Sequence, residues 1–149
     1  MKILAIDTST DRTSVALVES NKVIKALFHE DPLAHGEALP KLINELKPLI
    51  TNLDLVAVGM GPGPFTGLRS GIAFAQSFAL AKQIPWVGVA SLDALAMQFN
   101  ESEFIVQVDA RRKEVFYSIY KDGKPTSEAQ VGPLAALTHY NLPIHTGFP

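Results

Sequence analysis

The sequence predicts an α/β fold built from two related halves, and three observations lead to this prediction. Short apolar runs of strand length alternate with longer runs of helical periodicity along the chain. A unit of strand, Asp, polar turn and strand opens the chain and recurs later, with Asp109 in the place of Asp7. The length of 149 residues suits one domain or two small halves. We therefore expect a duplicated α/β fold with a cleft between the halves, divided into residues 1–102 and 103–149.

The first half is predicted to begin with three strands and a helix. Lys2–Ile6, Ser14–Glu19 and Val23–His29 are rich in apolar residues and are separated by polar turns, as in a β-meander. Apolar residues at helical spacing predict a helix over His35–Ile50, which Pro48 should end or kink.

The rest of the first half alternates strands and helices. A helix is expected over Leu68–Lys82 with Thr66 as its cap, and another over Ser91–Phe99 with Ser91 as its cap. The strands expected beside them are Asp54–Gly59 and Ile84–Val89.

The second half repeats the opening pattern and then stops short. Phe104–Val108 and Val115–Tyr120 are predicted strands, and residues 110–113 form the polar turn between them. Only a short helical stretch, Pro133–His139, follows. We therefore expect a second half that is truncated.

Composition limits the classes of function. The chain is 47% hydrophobic and 19% charged, with a formal net charge of −2, so it has no general electrostatic field for nucleic acid. The absence of cysteine excludes disulfides, thiolate catalysis and cysteine-based metal sites. No leader or apolar stretch of membrane-spanning length is evident, so we expect a soluble cytoplasmic protein with no membrane contact.

A glycine-rich stretch, Gly59–Gly71, joins a predicted strand to a predicted helix. Its glycines allow positive φ and close approach, while Pro62 and Pro64 fix φ, so it forms a shaped loop. Such a loop could cradle an anion at the helix start or let another chain's backbone come close. The alternative is a tight turn that packs a helix of small residues onto a sheet. The residues after Gly67 do not match the Walker A or Rossmann patterns, and Arg69 is the side chain that could reach a phosphate or a carboxylate.

The hydroxyl cluster after the first strand resembles a phosphate loop. Asp7, Thr8, Ser9 and Thr10 are similar to the first phosphate loop of the actin, Hsp70 and sugar-kinase superfamily, although Ser9 stands where that loop has glycine. In the second unit, Asp109 is followed by basic residues instead of a glycine-rich hairpin. The alternative is that both aspartates are turn residues whose carboxylates bond nearby backbone N–H groups.

Neither metal nor nucleophilic chemistry is indicated by the remaining residues. No two of the four histidines are spaced three to five residues apart, and His35 is expected to be a polar surface or turn residue. No Gly-x-Ser-x-Gly elbow is present. The helix after the glycine loop is apolar nearly all round, so the helices over His35–Ile50 and Leu68–Lys82 are either two core helices or a pair that docks a second subunit.

Four segments taken together resemble the TsaB (YeaZ) family of the bacterial machinery that makes N6-threonylcarbamoyladenosine (t6A) at position 37 of tRNA. They are MKILAIDTST, GMGPGPFTGLRSGIAFAQSFAL, GVASLDALA and VDARRKEVFYSIY. Pro64 replaces the serine of the usual family motif. The resemblance implies an actin-like fold and a subunit that is non-catalytic by itself.

The resemblance also implies roles for three sets of residues. The helix pair is expected to carry the partner interface, with candidate positions Leu39, Leu42, Leu46, Leu68, Ile72 and Phe78. The residues of a possible vestigial phosphate loop are Asp7, Thr8, Ser9, Thr10 and Asp109. The family motif loop comprises Gly61, Gly63, Phe65, Thr66, Gly67 and Arg69.

The implied partners are a TsaD-type catalytic paralogue and a TsaE-type ATPase. We expect a homodimer in isolation, contact with tRNA only through the complex, and ATP and metal on the partner subunits. The resemblance implies no catalytic residue and no metal or cofactor on this chain. Two alternatives remain, an ATP-dependent phosphotransferase of the actin-like superfamily and a peptidase.

Overall fold

The computed structural model describes residues 1–146 and divides the chain into two compact units, Met1–Val89 and Ala90–Pro149. The sequence placed the division after residue 102. It falls earlier because the helix that begins at Ser91 packs Leu92 and Ala96 into a core with Phe104 and Tyr120 of the second unit. None of the helices within residues 1–146 has the length and hydropathy that a bilayer span requires.

The first unit is a five-stranded sheet with two helices. In chain order its elements are β1 (Lys2–Asp7), β2 (Arg12–Glu19), β3 (Lys22–Glu30), α1 (His35–Leu46), β4 (Leu55–Gly59), α2 (Phe65–Lys82) and β5 (Trp86–Val89). The strand order is β3-β2-β1-β4-β5, in which β1, β2 and β3 are antiparallel neighbours and β4 is parallel to both β1 and β5. The predicted meander and the following strands are therefore confirmed.

One face of this sheet and the two helices enclose the core of the first unit. Alternate residues of the strands point toward the helices, as the period of two in a strand requires. Both helices turn one apolar side toward them. The buried members of this core are Leu4, Ile6, Val15, Leu39, Leu42, Ile43, Leu46, Val56, Val58, Ala75 and Ala79.

Two helix boundaries differ from the prediction. Helix α1 ends at Leu46 instead of Ile50, because Pro48 has no N–H to continue the helical hydrogen bonds. Helix α2 begins at Phe65, and its first hydrogen bond runs from the Leu68 N–H to the Pro64 carbonyl at 3.0 Å. Thr66 therefore lies inside the first turn and does not cap the helix. The fixed φ of proline suits Pro64 to the position before a helix.

The second unit contains a sheet with a helix on each face. Its elements are α3 (Ser91–Ala96), β6 (Glu103–Arg111), β7 (Glu114–Lys121), β8 (Lys124–Pro125), β9 (Gln130–Pro133), α4 (Leu134–Leu137), a 3₁₀ turn (Thr138–Tyr140) and β10 (Ile144–Thr146). The sheet order is β10-β6-β7-β8, and β9 also pairs with β7. The recurrence of an antiparallel strand pair with an aspartate near the end of its first strand is confirmed, whereas β8, β9 and β10 were not predicted.

The second unit has two small cores, one on each face of its sheet. Phe104, Val106 and Tyr120 pack with α3, while Ile105 and Tyr117 pack with Leu137 of α4. The predicted helical stretch Pro133–His139 corresponds to α4 and the 3₁₀ turn. The predicted cap Ser91 is instead the first residue of α3, which follows Ala90 and ends at Ala96 before the predicted Phe99.

Candidate functional site

The glycine loop packs against the β1–β2 turn of its own unit. Gly63, Gly67 and Gly71 lie four residues apart, and all three face the turn residues Thr8 and Ser9. A Cβ on Gly63 would overlap the Ser9 carbonyl, and one on Gly71 would overlap Thr8 Oγ1. We name this surface the glycine socket, and define it by its three glycines. Only glycine leaves room for Thr8 and Ser9 at these three positions, which explains the four-residue spacing of the glycines.

A buried hydrogen bond fixes the turn in the socket. Thr8 Oγ1 donates to the Gly67 carbonyl at 2.8 Å, and a Cβ on Gly67 would lie 2.5 Å from the Thr8 carbonyl. Thr8 and Ser9 are 0% and 4% exposed. The backbone that approaches the loop therefore belongs to the same chain, as the tight-turn interpretation predicts, while a role in binding an anion or another chain stays a prediction.

The two aspartates of the repeated pattern make the same local hydrogen bond. Asp7 Oδ1 accepts from the Ser9 N–H at 2.7 Å and from Ser9 Oγ at 2.6 Å. Asp109 Oδ1 accepts from the Arg111 N–H at 3.0 Å. These are the bonds that the turn-residue interpretation predicts. Thr10 is exposed beside this turn, and a nucleotide role for the cluster stays a prediction.

His35 is a site residue whose burial the sequence did not predict. It is 5% exposed, its Nδ1 lies 2.7 Å from Thr13 Oγ1, and its ring faces Gly67. The expected surface or turn position is therefore wrong. His35 begins α1 and touches the glycine socket on α2, so it links the starts of the two helices. Its spacing after β3 gave no signal of this contact.

Three other motif residues, Phe65, Thr66 and Arg69, lie at the surface in the first turns of α2, whereas Gly61 before the helix is buried. The Arg69 guanidinium stacks on the Phe65 ring at 5.1 Å, and Phe65 is 73% exposed. The Thr66 carbonyl accepts a hydrogen bond from Ser70 Oγ at 3.1 Å. Gly61 has φ of +87°, a value that favours glycine, and precedes Pro62 through a cis peptide bond. Arg69 is exposed, and its contact with a phosphate or a partner carboxylate stays a prediction.

The candidate partner positions fall into two groups by burial. Leu39, Leu42 and Leu46 are 1%, 7% and 0% exposed, so their side chains pack in the core of the first unit. Leu68, Ile72 and Phe78 on α2 are partly buried. The partner-binding role of α1 and α2 stays a prediction, and any direct contact by α1 must come from its other residues.

A groove between α1 and α2 supplies such residues. It has a volume of about 280 Å³ and follows two helical rows. One row comes from α1 and the residues just after it: Pro40, Ile43, Asn44, Lys47 and Ile50. The other row comes from α2: Phe74, Phe78 and Lys82. The Phe74 and Phe78 rings stack at 5.9 Å, and the Lys82 ammonium lies 5.9 Å from the Phe78 ring. We name this feature the helix groove.

Most residues of the helix groove were missed by the sequence prediction, which selected the most apolar positions of each helix. On α1 those positions, Leu39, Leu42 and Leu46, pack in the core because burial there removes apolar surface from water, whereas Phe78 on α2 lines the groove. Pro40, Asn44 and Lys47 are exposed and recur at helical spacing, next to the core-facing side of α1 and just past its end. This pattern is the signal that could have found the groove.

The arrangement offers positioning and contact surfaces, with no cluster of metal ligands. Within residues 1–146, no three His, Asp or Glu side chains are placed to hold a metal ion. The glycine socket is filled by Thr8 and Ser9, and the helix groove is apolar with lysines at one end. An apolar groove of this kind is a surface that another macromolecule could contact.

Comparison with known proteins shows the family. The family model described as TsaD, tRNA N6-adenosine threonylcarbamoyltransferase, matches residues 33–143. An uncharacterized protein of Mycobacterium tuberculosis, Rv3421c, is 39% identical, with 96% of this chain and 73% of that protein covered.

Two further matches carry the TsaB and YeaZ names. The tRNA threonylcarbamoyladenosine biosynthesis protein TsaB of Escherichia coli is 34% identical over 129 residues, which cover 81% of this chain and 55% of that protein. The structure of YeaZ from Pseudomonas aeruginosa superposes with a TM-score of 0.76 at 29% identity, covering 89% of this chain and 67% of that one.

These matches confirm the resemblance drawn from the four sequence segments and the predicted actin-like α/β fold. The chain spans little more than half the length of the TsaB proteins it matches. This chain therefore belongs to the family that the TsaD model describes, as a TsaB (YeaZ) member of it.

Proposed function

We propose that this chain is the non-catalytic subunit that binds a TsaD-type catalytic paralogue for threonylcarbamoyl transfer to adenosine 37 of tRNA. The observation that carries the proposal is its 34% identity to the E. coli protein named for threonylcarbamoyladenosine biosynthesis. The filled glycine socket supports a scaffold role, because the chain's own turn packs against the loop that a phosphate would need.

The partner surface in this proposal is the exposed side of α1 and α2 around the helix groove. An apolar groove with stacked aromatic rings provides the kind of pocket in which interface anchors are buried. A TsaE-type ATPase joins the pair, and ATP and metal bind on the partner subunits. The chain meets tRNA through the complex in the cytoplasm, and pairs with itself when the paralogue is absent.

The proposal is tested by light scattering coupled to size-exclusion chromatography of the chain mixed with a TsaD-type subunit. We expect a one-to-one complex with the unmodified chain. Asn44→Trp places a bulky ring in the helix groove from an exposed position and should weaken the complex at least tenfold.

Glu45→Trp is the matched control, since it adds the same ring at the next exposed residue of α1, outside the groove lining. It should leave the complex intact. A chain that ignores the TsaD-type subunit, but binds ATP by calorimetry, would contradict the proposal and favour the phosphotransferase alternative. Equal weakening by both substitutions would contradict the placement of the interface.

A further inference from the structure

Three two-residue hairpin turns in the structure have the same backbone but different residues. Ser20–Asn21, Asp122–Gly123 and Arg112–Lys113 all have positive φ at both positions, as a type I′ turn requires. The first two turns use residues that tolerate or favour this conformation. The third uses two long basic side chains, with φ of 54° and 68°.

The third turn is therefore the one of the three in which neither position carries Gly, Asn or Asp. Arg111, directly before it, also has positive φ, at 68°, which makes three consecutive left-handed basic residues. Residues held in such conformations concentrate at functional sites. The feature that distinguishes this turn from the other two is its cationic side chains, so we look for its role in their charge.

The charges are placed at the apex of the hairpin formed by β6 and β7. Arg112 and Lys113 are both exposed, whereas Arg111 lies 3.9 Å from the Asp109 carboxylate. Glu114 follows on β7 as the ladder partner of Arg111. Because the whole chain has a formal net charge of −2, this apex is a local basic feature and not part of a generally basic surface.

We propose that Arg112 and Lys113 contact the phosphate backbone of the tRNA that the assembled complex modifies. This inference rests on the proposed function, which supplies the RNA. Exposed Arg and Lys side chains are the usual donors to phosphate oxygens, and such contacts position a nucleic acid without reading its sequence. A protein partner fits less well, because the methyl of Ala110 is the only apolar side chain between Asp109 and Glu114 to anchor an interface.

The test replaces the two basic residues by those that the turn prefers, in the double variant Arg112→Asn/Lys113→Gly. The complex with a TsaD-type subunit is first isolated by size-exclusion chromatography. Its affinity for a fluorescent tRNA transcript is then measured by anisotropy at several salt concentrations. We expect roughly tenfold weaker binding, and a slope of log Kd against log salt that is smaller by about 2, one for each lost phosphate contact.

The thermal midpoint of the chain separates charge from folding. The double variant should melt at a higher temperature than the unmodified chain, since Asn-Gly suits the turn. The matched control Ser20→Asn/Asn21→Gly makes the same replacement in the β2–β3 turn. It should also melt at a higher temperature and should bind tRNA with unchanged affinity and salt slope.

Three outcomes would overturn the inference. The first is unchanged tRNA affinity and salt slope in a complex that has formed with the double variant. The second is a lower melting temperature of that variant, which would trace any loss of binding to folding. The third is weaker binding of the TsaD-type subunit with an unchanged salt slope, which would indicate a carboxylate surface on the protein partner. If no complex forms even with the unmodified chain, the proposed function fails and this inference with it.

Discussion

Gly67 shows how one residue type at one position can join two parts of a fold. Its missing Cβ leaves room for the Thr8 carbonyl, and its own carbonyl accepts the Thr8 hydroxyl. The same position lies beside the ring of buried His35. At the residue scale, the glycine motif is therefore a packing device within the first unit.

This packing predicts a large effect of Gly67→Ala. The new methyl would lie 2.5 Å from the Thr8 carbonyl, so the turn must move and the buried hydrogen bond weakens. We expect a loss of about 2–3 kcal/mol in the free energy of unfolding, measured by chemical denaturation.

Gly36→Ala is the control for this substitution. Gly36 also lies in a helix, but a Cβ there would meet nothing within 4 Å. It should stabilise the chain by up to about 1 kcal/mol, because alanine favours the helix. Similar effects of both substitutions would contradict the socket geometry.

Tyr120 illustrates a buried polar group in the second unit. It is 1% exposed, and its hydroxyl donates to Asp93 Oδ1 at 2.6 Å. Burial, and after it the hydrogen bond to the Asp93 carboxylate, raises the pKa of Tyr120 above its ordinary value of 10.0. The folded chain therefore holds this proton at pH values where the unfolded chain releases it.

A pH dependence follows from this raised pKa. The stabilising contribution is complete below pH 10 and decreases as the pH rises above it, because only the unfolded state loses the proton there. Tyr120→Phe should lower the free energy of unfolding at neutral pH by about 1–3 kcal/mol and make its decline above pH 10 shallower. Denaturation series from pH 7 to beyond pH 10 measure both effects.

An alkaline decline of the Tyr120→Phe variant as steep as that of the unmodified chain would contradict the assignment.

At the element scale, one side of α1 packs in the core and another lines the helix groove. One side carries Leu39, Leu42 and Leu46 into the core, and the other forms a wall of the helix groove through Pro40, Asn44 and related residues. Substitutions on the two sides should therefore separate core stability from the partner binding proposed for the groove. The apolar pattern alone selected the side that packs in the core, and the partner role of its positions stays a prediction.

Leu46→Ala tests the core side. Leu46 is 0% exposed, so the truncation leaves a cavity and should lower the free energy of unfolding by about 2–5 kcal/mol. The free energy of unfolding is measured by denaturant titration for Leu46→Ala and, as a control, for Asn44→Trp. The control should change it by less than about 0.5 kcal/mol because Asn44 is exposed. A stable Leu46→Ala chain that has lost partner binding would place Leu46 at the interface instead.

At the scale of the whole molecule, the two units have separate cores. The core of the first unit draws its buried residues from Leu4 to Ala79, all within Met1–Val89. The two cores of the second unit draw theirs from Leu92 to Leu137. Each unit thus contains the apolar contacts that its own sheet needs.

The separate cores predict that the fragment of residues 1–89 folds by itself. The fragment retains the whole first sheet, both of its helices and the glycine socket. We expect a cooperative thermal transition by circular dichroism and dispersed amide resonances by NMR. A fragment without a cooperative transition would show that the first unit depends on the rest of the chain.

Much of the fold and part of the site could be predicted from the sequence. Alternation in β1 and β2 and helical spacing in α1 fixed the type of these elements, because local periodicity reports which side of an element is buried. The Asp7 turn and the glycine loop were recognised through residues with special backbone requirements. The short strands β8–β10 have too few residues for a periodic signal, so they were not predicted.

The sequence by itself determined the family, the order of the longer elements and the positions where glycine is required. Only the tertiary structure decided which residues pack against those glycines, that His35 is buried, and which side of α1 packs in the core. The physical reason is that composition and periodicity are local along the chain, whereas the contact between Thr8 and Gly67 joins residues that come together only after the strands and helices have packed.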